Sequence, residues 1–208
     1  MNIINSIKNE IKEIMDNDSA HDFDHVMRVY KNAQKICKKE KANEKLVLCA
    51  ALLHDIVSYP KSDKRSKMSS TESAKKSKIL LKRYDFSNDE ILIISDAIRD
   101  HSFSQNKTPE SIVGKILQDA DRLDAMGAIG IARVFATGGS LKRPFYNIED
   151  PFCKTRKPDD KKWTVDHFYQ KLLKLESLMN TKSGKIEAKK RTKVLKEFLN
   201  QLQQEIST

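Results

Sequence analysis

Apolar residues recur every three or four positions along most of this chain, and that spacing predicts amphipathic helices. Ile3, Ile7, Ile11 and Ile14 share one face of a first predicted helix over residues 2–16. Comparable patterns predict further helices within residues 22–37, 43–57, 71–84, 87–101, 112–124, 127–137, 165–179 and 185–206. Because no segment alternates between apolar and polar residues as a strand does, we expect an all-α bundle of about eight or nine helices without a significant sheet.

Two features interrupt the helical pattern in the C-terminal half of the chain. Gly138-Gly139 is expected to end the helix before it. Residues 140–162 contain three prolines and no clean period, so we expect a long loop there that could close over a ligand as a lid. A chain of 208 residues is long enough for one sizeable core, and we expect a single domain over residues 1–208.

The most informative segment is AALLHD at Ala50–Asp55, where an almost wholly apolar helix ends in two polar residues. Burying a charged or polar group is costly unless that group is paired or binds a metal ion. His54 and Asp55 therefore need partners, and two distant positions can supply them. His25 lies on the inward face of the second predicted helix, and Asp121 lies on an apolar face near residue 120.

These four residues, His25, His54, Asp55 and Asp121, are candidate ligands of one divalent cation. Two neutral imidazoles, two carboxylates and a divalent ion sum to zero charge, so such a site can be buried. Mixed nitrogen and oxygen ligation suits Mn²⁺, Fe²⁺, Co²⁺, Ni²⁺ or Zn²⁺ better than Ca²⁺, with Mg²⁺ as a further alternative. Water bound to such an ion becomes a usable nucleophile. The competing interpretation is that these side chains only bond to one another in the core.

Further polar residues are candidates for catalysis or support. His101 ends an inward helix face and either lines the site or is a hydrogen-bonded core histidine. Asp124 lies one helical turn after Asp121 and either orients water or forms an ion pair with Arg122 or Arg28. His21 and Asp22 precede His25 by about one turn. They either hydrogen-bond to the His25 imidazole without binding the metal ion, or they cap the helix.

Four cations are candidates for binding a substrate phosphate. Lys61, Lys64 and Arg65 lie in the basic loop that follows the His-Asp pair. Arg133 lies in an apolar helix, where a guanidinium needs an anionic partner. For each lysine the alternative is a solvated position on the surface.

The ordered motifs HDFDHVMRV, AALLHDI, HSF, QDADRLDAMGAIGIAR and HFYQKLLKLESLMNT resemble the HD-domain superfamily of metal-dependent phosphohydrolases. They are most similar to its small single-domain bacterial branch, which includes manganese-dependent nucleotide pyrophosphohydrolases. The resemblance implies a helical fold and favours Mn²⁺ as the ion. It also places the metal ligands at His25, His54, Asp55 and Asp121. Some relatives carry an acidic catalytic residue shortly after the His-Asp pair. Ser58 and Tyr59 follow here, which leaves the general acid or base open.

Charge and composition narrow the choice of partner and compartment. The formal net charge of +10 favours phosphates, nucleotides or nucleic acid, but the basic runs lack the interleaved aromatic residues of a nucleic-acid interface. The three cysteines have neither metal-site nor disulfide spacing. Because no segment predicts a membrane span or a signal peptide, we expect a cytoplasmic monomer or homodimer with no membrane partner.

The leading hypothesis from the sequence is a phosphohydrolase that converts a (deoxy)nucleoside triphosphate into a monophosphate and pyrophosphate. One alternative is a phosphomonoesterase or cyclic phosphodiesterase that uses the same site. Another is a module that binds nucleotide or nucleic acid through a degenerate site. Product analysis and the salt dependence of binding distinguish the three.

Overall fold

The computed structural model describes residues 3–16, 23–59, 63–102 and 107–206. These ranges contain only helices, turns and loops, which confirms the all-α prediction for the part of the chain described. Two short 3₁₀ helices, Lys64–Met68 and Leu172–Leu178, accompany the α-helices. The α-helices are α1 (Ile3–Asp16), α2 (Phe23–Glu40), α3 (Glu44–Leu53), α4 (Ser69–Leu81), α5 (Asn88–Asp100), α6 (Ile112–Asp124), α7 (Gly127–Ser140), α8 (Asp166–Gln170) and α9 (Lys182–Ile206).

The chain divides into two compact units, Met1–Asp121 and Arg122–Thr208. In the first unit, α3 is central, and it packs against α1, α2, α4 and α5. Every residue of α3 from Leu46 to Leu53 is buried, as its apolar sequence predicts. The Asn43 side chain accepts a hydrogen bond from the Leu46 amide at 3.3 Å and so begins this helix at a defined residue.

A capping box fixes the start of α5. The Ser87 hydroxyl accepts a hydrogen bond from the Glu90 amide at 3.2 Å, and the Glu90 carboxylate accepts one from the Ser87 amide at 2.9 Å. This reciprocal pattern satisfies two amides that a helix start leaves without partners. The spacing of Ser87 and Glu90 in the sequence predicts this arrangement.

In the second unit, α7 and the 3₁₀ helix Leu172–Leu178 each contact α9. Three phenylalanines, Phe135, Phe168 and Phe198, form an aromatic cluster with ring centroids 5.7–6.3 Å apart. The prediction of one continuous helix over residues 165–179 is wrong. The backbone of Lys171 leaves the helical region (φ −134°, ψ −59°), so α8 and the 3₁₀ helix are separate elements.

The prediction that Gly138-Gly139 ends a helix is also wrong, because α7 continues to Ser140. The reason for a glycine at position 138 is close packing. A Cβ atom there would lie 2.8 Å from Cγ2 of Thr164 and would also collide with the hydroxyl of that residue. At Gly139 a Cβ atom would meet nothing within 4 Å. The two neighbouring glycines therefore have different structural roles.

The segment between α7 and α8 forms no helix, but it is held by its own contacts. The Asp150 carboxylate accepts hydrogen bonds from the amides of Lys154, Thr155 and Arg156 at 2.8–3.2 Å, and these donors hold the pKa of Asp150 below its usual range. Arg156 in turn donates to both oxygens of the buried Asp166 carboxylate at 2.5 and 2.8 Å. This network gives the predicted loop a defined conformation, whereas its role as a lid stays a prediction.

Among the described residues, no helix is both long enough and apolar enough to cross a lipid bilayer.

The two adjacent glycines of α7 provide a matched test of the packing. We expect Gly138→Ala to destabilise the protein by about 1–3 kcal/mol, because the new methyl group must displace Thr164 from a buried position. Gly139→Ala should be neutral or stabilising by up to about 1 kcal/mol, since alanine favours a helix. Urea denaturation followed by circular dichroism measures both variants. Equal stability of the two would contradict this account of Gly138.

Candidate metal centre

The first unit brings four of the predicted ligand residues together. His25 lies on α2, His54 and Asp55 follow the last turn of α3, and Asp121 lies on α6. The His25 Nε2 atom is 3.3 Å from His54 Nε2, 3.6 Å from Asp55 Oδ2 and 3.4 Å from Asp121 Oδ1. His54 Nε2 is also 3.6 Å from Asp55 Oδ2. Residues from three helices thus converge through single nitrogen and oxygen atoms.

The backbone fixes the protonation of His54. Its Nδ1 atom lies 2.8 Å from the carbonyl oxygen of Ala51. A carbonyl oxygen can only accept, so Nδ1 carries the proton and donates it. Complete burial lowers the pKa of His54, which keeps the imidazole neutral near pH 7. The neutral ring therefore presents the lone pair of Nε2 to the cluster, as a metal ligand must.

The short separation of the two Nε2 atoms supports binding of a cation. Because His54 Nε2 is an acceptor, a second lone pair 3.3 Å away would be repelled unless a proton or a metal ion lies between them. Ligand atoms about 2.1 Å from one ion lie about 3.0 Å apart along an octahedral edge and about 3.4 Å apart along a tetrahedral edge. The observed separations of 3.3–3.6 Å require only small movements to meet these values. The residues present therefore fit a divalent metal ion.

The carboxylates supply the negative charge that such an ion needs. Burial opposes the ionisation of Asp55, but the neighbouring imidazoles of His54 and His25 outweigh it and hold the pKa of Asp55 below its usual range. The side chains of Asp55 and Asp121 are partly exposed, at 33% and 28%. The cluster is thus anionic near neutral pH and reachable from solvent.

His101 belongs to a second group of possible ligands that overlaps the first. It is buried, and its ring centroid lies 5.1 Å from that of His54. Its Nδ1 atom donates to the Ile98 carbonyl oxygen at 2.6 Å, so a neutral His101 has its lone pair on Nε2, as in His54. One ligand atom each from His54, Asp55 and His101 lie within 4.8 Å of one another. His101 is therefore both hydrogen-bonded in the core and adjacent to the cluster.

Three polar residues that the sequence analysis did not select position the centre. The Asn32 amide donates to the Ala120 carbonyl at 3.2 Å and ties α2 to the residue before Asp121. The Gln118 amide nitrogen lies 2.9–3.2 Å from the carbonyl oxygens of residues 100, 101 and 107, so it anchors the segment after α5 to α6. Ser73 on α4 bonds to both backbone groups of Val57. In the sequence, Asn32 and Gln118 could have been recognised as polar side chains on otherwise apolar helix faces.

Asp124 and Arg133 lie in the second unit and pair with each other. The Asp124 carboxylate is almost completely buried, whereas the Arg133 side chain is 44% exposed. The Arg133 guanidinium donates a hydrogen bond to the Asp124 carboxylate. The anionic partner expected for an arginine in an apolar helix is therefore a side chain of the protein itself. The predicted roles of Asp124 in catalysis and Arg133 in substrate binding stay predictions.

The basic loop after the His-Asp pair shows a similar internal pairing. Arg65 donates to Asp63 at 2.7 Å, and its guanidinium lies 4.5 Å from the centre of the Tyr59 ring. The Tyr59 hydroxyl donates to the Glu72 carboxylate at 2.5 Å. Lys64 is exposed. The remaining predicted residues, His21, Asp22 and Lys61, lie outside the described residues.

Comparison with known proteins identifies relatives over nearly the whole chain. The sequence model of the HD domain family matches residues 22–126, which confirms the resemblance found from the motifs. The uncharacterized protein YpgQ of Bacillus subtilis is 34% identical over 194 residues, covering 93% of this chain and 88% of YpgQ. The crystal structure of YpgQ in complex with ADP has a TM-score of 0.74 at 29% identity and covers 97% of this chain and 94% of that one. An HD-superfamily hydrolase from Bacillus thuringiensis has a TM-score of 0.76 at 33% identity, covering 99% and 97% of the two chains.

Loss of a residue that only hydrogen-bonds to a metal ligand typically weakens metal binding by roughly 10- to 100-fold. We expect His54→Ala to weaken Mn²⁺ binding by more than this, since His54 faces both His25 and Asp55. Isothermal titration calorimetry measures the affinity. His167→Ala is the matched control, because His167 also pairs with an aspartate, Asp160 at 2.7 Å, but lies in the other unit. An unchanged affinity in His54→Ala would refute this assignment of the cluster.

Removing Arg133 should leave the buried Asp124 carboxylate without its guanidinium. We expect Arg133→Gln to destabilise the protein by about 1–3 kcal/mol, less than for a pair buried on both sides because Arg133 is 44% exposed. The double variant Arg133→Gln/Asp124→Asn should recover part of that loss. Thermal denaturation of the single and double variants measures the coupling. A single variant of unchanged stability would favour a role in ligand binding instead.

Proposed function

The chain belongs to the HD domain family, and on that premise we propose that it is a metal-dependent phosphohydrolase that acts on a nucleotide. The observation that carries the proposal is the convergence of His25, His54, Asp55 and Asp121 through atoms 3.3–3.6 Å apart. Two neutral imidazoles and two carboxylates at this spacing match the needs of one divalent cation. The HD-superfamily hydrolase of Bacillus thuringiensis is a structural relative whose description agrees with this class of reaction.

The proposed ligand set leaves room for chemistry. A divalent ion lowers the pKa of the water it binds towards neutrality and thereby supplies a nucleophile. The His54 Nε2 lone pair and the Asp55 carboxylate would hold the cation, while the proton on His54 Nδ1 stays hydrogen-bonded to the Ala51 carbonyl oxygen. His101 is the better supported candidate for moving a proton, because it adjoins His54 and presents Nε2 as an acceptor.

We infer that Mn²⁺ is the favoured ion, with Fe²⁺, Co²⁺, Ni²⁺, Zn²⁺ and Mg²⁺ as alternatives. Equal numbers of imidazole nitrogens and carboxylate oxygens suit a borderline first-row ion better than Ca²⁺, which prefers oxygen ligands. The absence of a thiol among the four residues argues against a thiolate-ligated zinc site.

The proposed substrate is a (deoxy)nucleoside triphosphate, with a nucleoside monophosphate and pyrophosphate as products. Two observations support a nucleotide. The related YpgQ protein of Bacillus subtilis was crystallised in complex with ADP. The chain also carries a net charge of +10, which attracts anionic substrates. Lys64 in the loop after the His-Asp pair is exposed and is proposed to contact the phosphates, together with Lys61 and Arg65.

Two further functions remain candidates for the same centre. A phosphomonoesterase or a cyclic phosphodiesterase would use the same ion and the same nucleophile. A nucleotide-binding module without hydrolysis gains support from the residues that follow the His-Asp pair. Ser58 and Tyr59 stand there instead of the acidic catalytic residue that some relatives carry. The Glu72 carboxylate already accepts a hydrogen bond from the Tyr59 hydroxyl at 2.5 Å.

The proposal predicts hydrolysis that depends on both the added metal and His54. We expect the Mn²⁺-loaded protein to release pyrophosphate from at least one nucleoside triphosphate in a panel that also holds mono-, di- and cyclic nucleotides. His54→Ala should lower kcat/KM by at least about 100-fold, because the nucleophile is no longer held in place. His167→Ala should keep its activity. Ion chromatography of the products separates the candidates.

Release of orthophosphate would indicate a phosphomonoesterase in place of the proposed reaction. Opening of a cyclic nucleotide would indicate a cyclic phosphodiesterase. Metal-dependent binding of nucleotides without turnover of any of them would leave only the binding module. Full activity in His54→Ala would show that the reaction occurs elsewhere.

A further inference from the structure

The buried face of α4 is unusually polar. It carries Ser70, Ser73 and Ser77, where a helix on the surface of a domain usually buries larger apolar side chains. Burying a hydroxyl group is costly unless the group forms hydrogen bonds. Ser73 and Ser77 are both completely buried. The partners of these two hydroxyls therefore indicate what the polar face of α4 does.

Ser73 holds the backbone of the segment that follows the His-Asp pair. Its hydroxyl accepts a hydrogen bond from the Val57 amide at 3.0 Å and donates one to the Val57 carbonyl oxygen at 3.1 Å. Val57 lies outside the helices, so its amide and carbonyl groups need partners from elsewhere. A single buried hydroxyl on α4 thus satisfies both backbone groups of this residue.

The contact bears on the candidate metal centre because Val57 lies only two residues after Asp55. α3 ends at Leu53, so His54 and Asp55 belong to a turn that follows the helix. From this turn the Asp55 carboxylate lies 3.6 Å from the Nε2 atoms of two histidines. The hydrogen bonds of Ser73 to Val57 therefore limit where that carboxylate can lie.

Ser77 shows what a buried serine of α4 does without such a contact. Its hydroxyl donates to the Ser73 carbonyl oxygen at 2.7 Å, four residues earlier in the same helix. A bond of this kind contributes little to helix stability, because the helix already pairs that carbonyl. Ser73 and Ser77 thus share their burial and their helix, but only Ser73 bonds to the segment after the His-Asp pair.

A second contact joins α4 to the same segment further from the ligand residues. The Tyr59 hydroxyl donates to the carboxylate of Glu72, the residue before Ser73. This bond involves a side chain four residues after Asp55 and leaves the backbone of Val57 untouched. The two contacts of α4 can therefore be removed one at a time.

We propose that Ser73 is a positioning residue for Asp55 and thereby sets the affinity of the candidate centre for its divalent ion. Ser73 is not one of the proposed ligands and acts through the backbone. By fixing Val57, it keeps the Asp55 carboxylate at the distance from His25 and His54 that one shared ion requires. The inference rests on the proposed function, because it concerns the same ion.

Ser73→Ala in the full-length protein tests the proposal, and Ser77→Ala is its matched control. Alanine favours a helix and Val57 is partly reachable by water, so both variants should keep the circular dichroism of the wild type. Because Ser73 acts through the backbone, we expect Ser73→Ala to weaken Mn²⁺ binding by about tenfold, at the low end for a residue that supports a ligand. Ser77→Ala should change the affinity by less than about twofold, since its hydroxyl bonds only within α4. Isothermal titration calorimetry with Mn²⁺ alone measures both.

The visible absorption spectrum of bound Co²⁺ provides a readout that a general loss of stability would not change. It depends on the number and arrangement of the ligands around the ion. At saturating Co²⁺, Ser73→Ala should alter this spectrum, because the Asp55 carboxylate is displaced. Ser77→Ala should give the spectrum of the wild type. Tyr59→Phe should do so as well, since it removes the other contact of α4 and leaves Val57 in place.

An unchanged Mn²⁺ affinity and Co²⁺ spectrum in Ser73→Ala would overturn the positioning role of Ser73. Equal losses in Ser73→Ala and either control would also overturn it, because they would show a general loosening of α4. A wild type that binds neither ion would refute the metal centre itself and the proposed function with it. Metal binding that depends on Ser73, in a protein that turns over no nucleotide, would support this inference and refute only the proposed reaction.

Discussion

The close approach of two imidazole nitrogens in a largely buried position is the constraint on which the centre depends. His54 cannot turn its Nε2 lone pair away, because the Ala51 carbonyl holds the proton on Nδ1. His25 Nε2 nonetheless lies 3.3 Å from it, with carboxylate oxygens of Asp55 and Asp121 close by. Such a set of acceptors is stable together when a proton on His25 Nε2 or a cation lies among them. A divalent cation at this point would therefore satisfy the packing as well as the proposed chemistry.

The surrounding fold serves to keep these atoms in place. An all-apolar α3 delivers His54 and Asp55 from the interior, because its buried faces leave it little freedom to turn. Asn32 and Gln118 then join α2 and the segment after α5 to α6 by hydrogen bonds to backbone carbonyls. Buried amides of this kind specify one arrangement of helices, since any other would leave them without partners.

The distribution of positive charge separates two kinds of cation. The arginines selected as phosphate ligands engage carboxylates of the chain itself, Arg133 with Asp124 and Arg65 with Asp63. A guanidinium forms such bonds well because its geometry matches a carboxylate. By contrast, Lys185, Lys189 and Lys196, which share one face of α9, form no ion pair within the described ranges. Net charge alone cannot distinguish these situations.

The sequence by itself determined the helical class, the apolar α3, the capping box at Ser87 and the candidate ligand residues that the structure brings together. These features depend on periodicity and on the cost of burying a histidine and an aspartate, both of which are readable along the chain. Only the tertiary structure decided the break at Lys171, the passage of α7 through Gly138 and the pairing of Arg133 with Asp124. The close packing at Gly138 and the partner of Arg133 depend on which side chain another element places nearby, and local spacing carries no record of that.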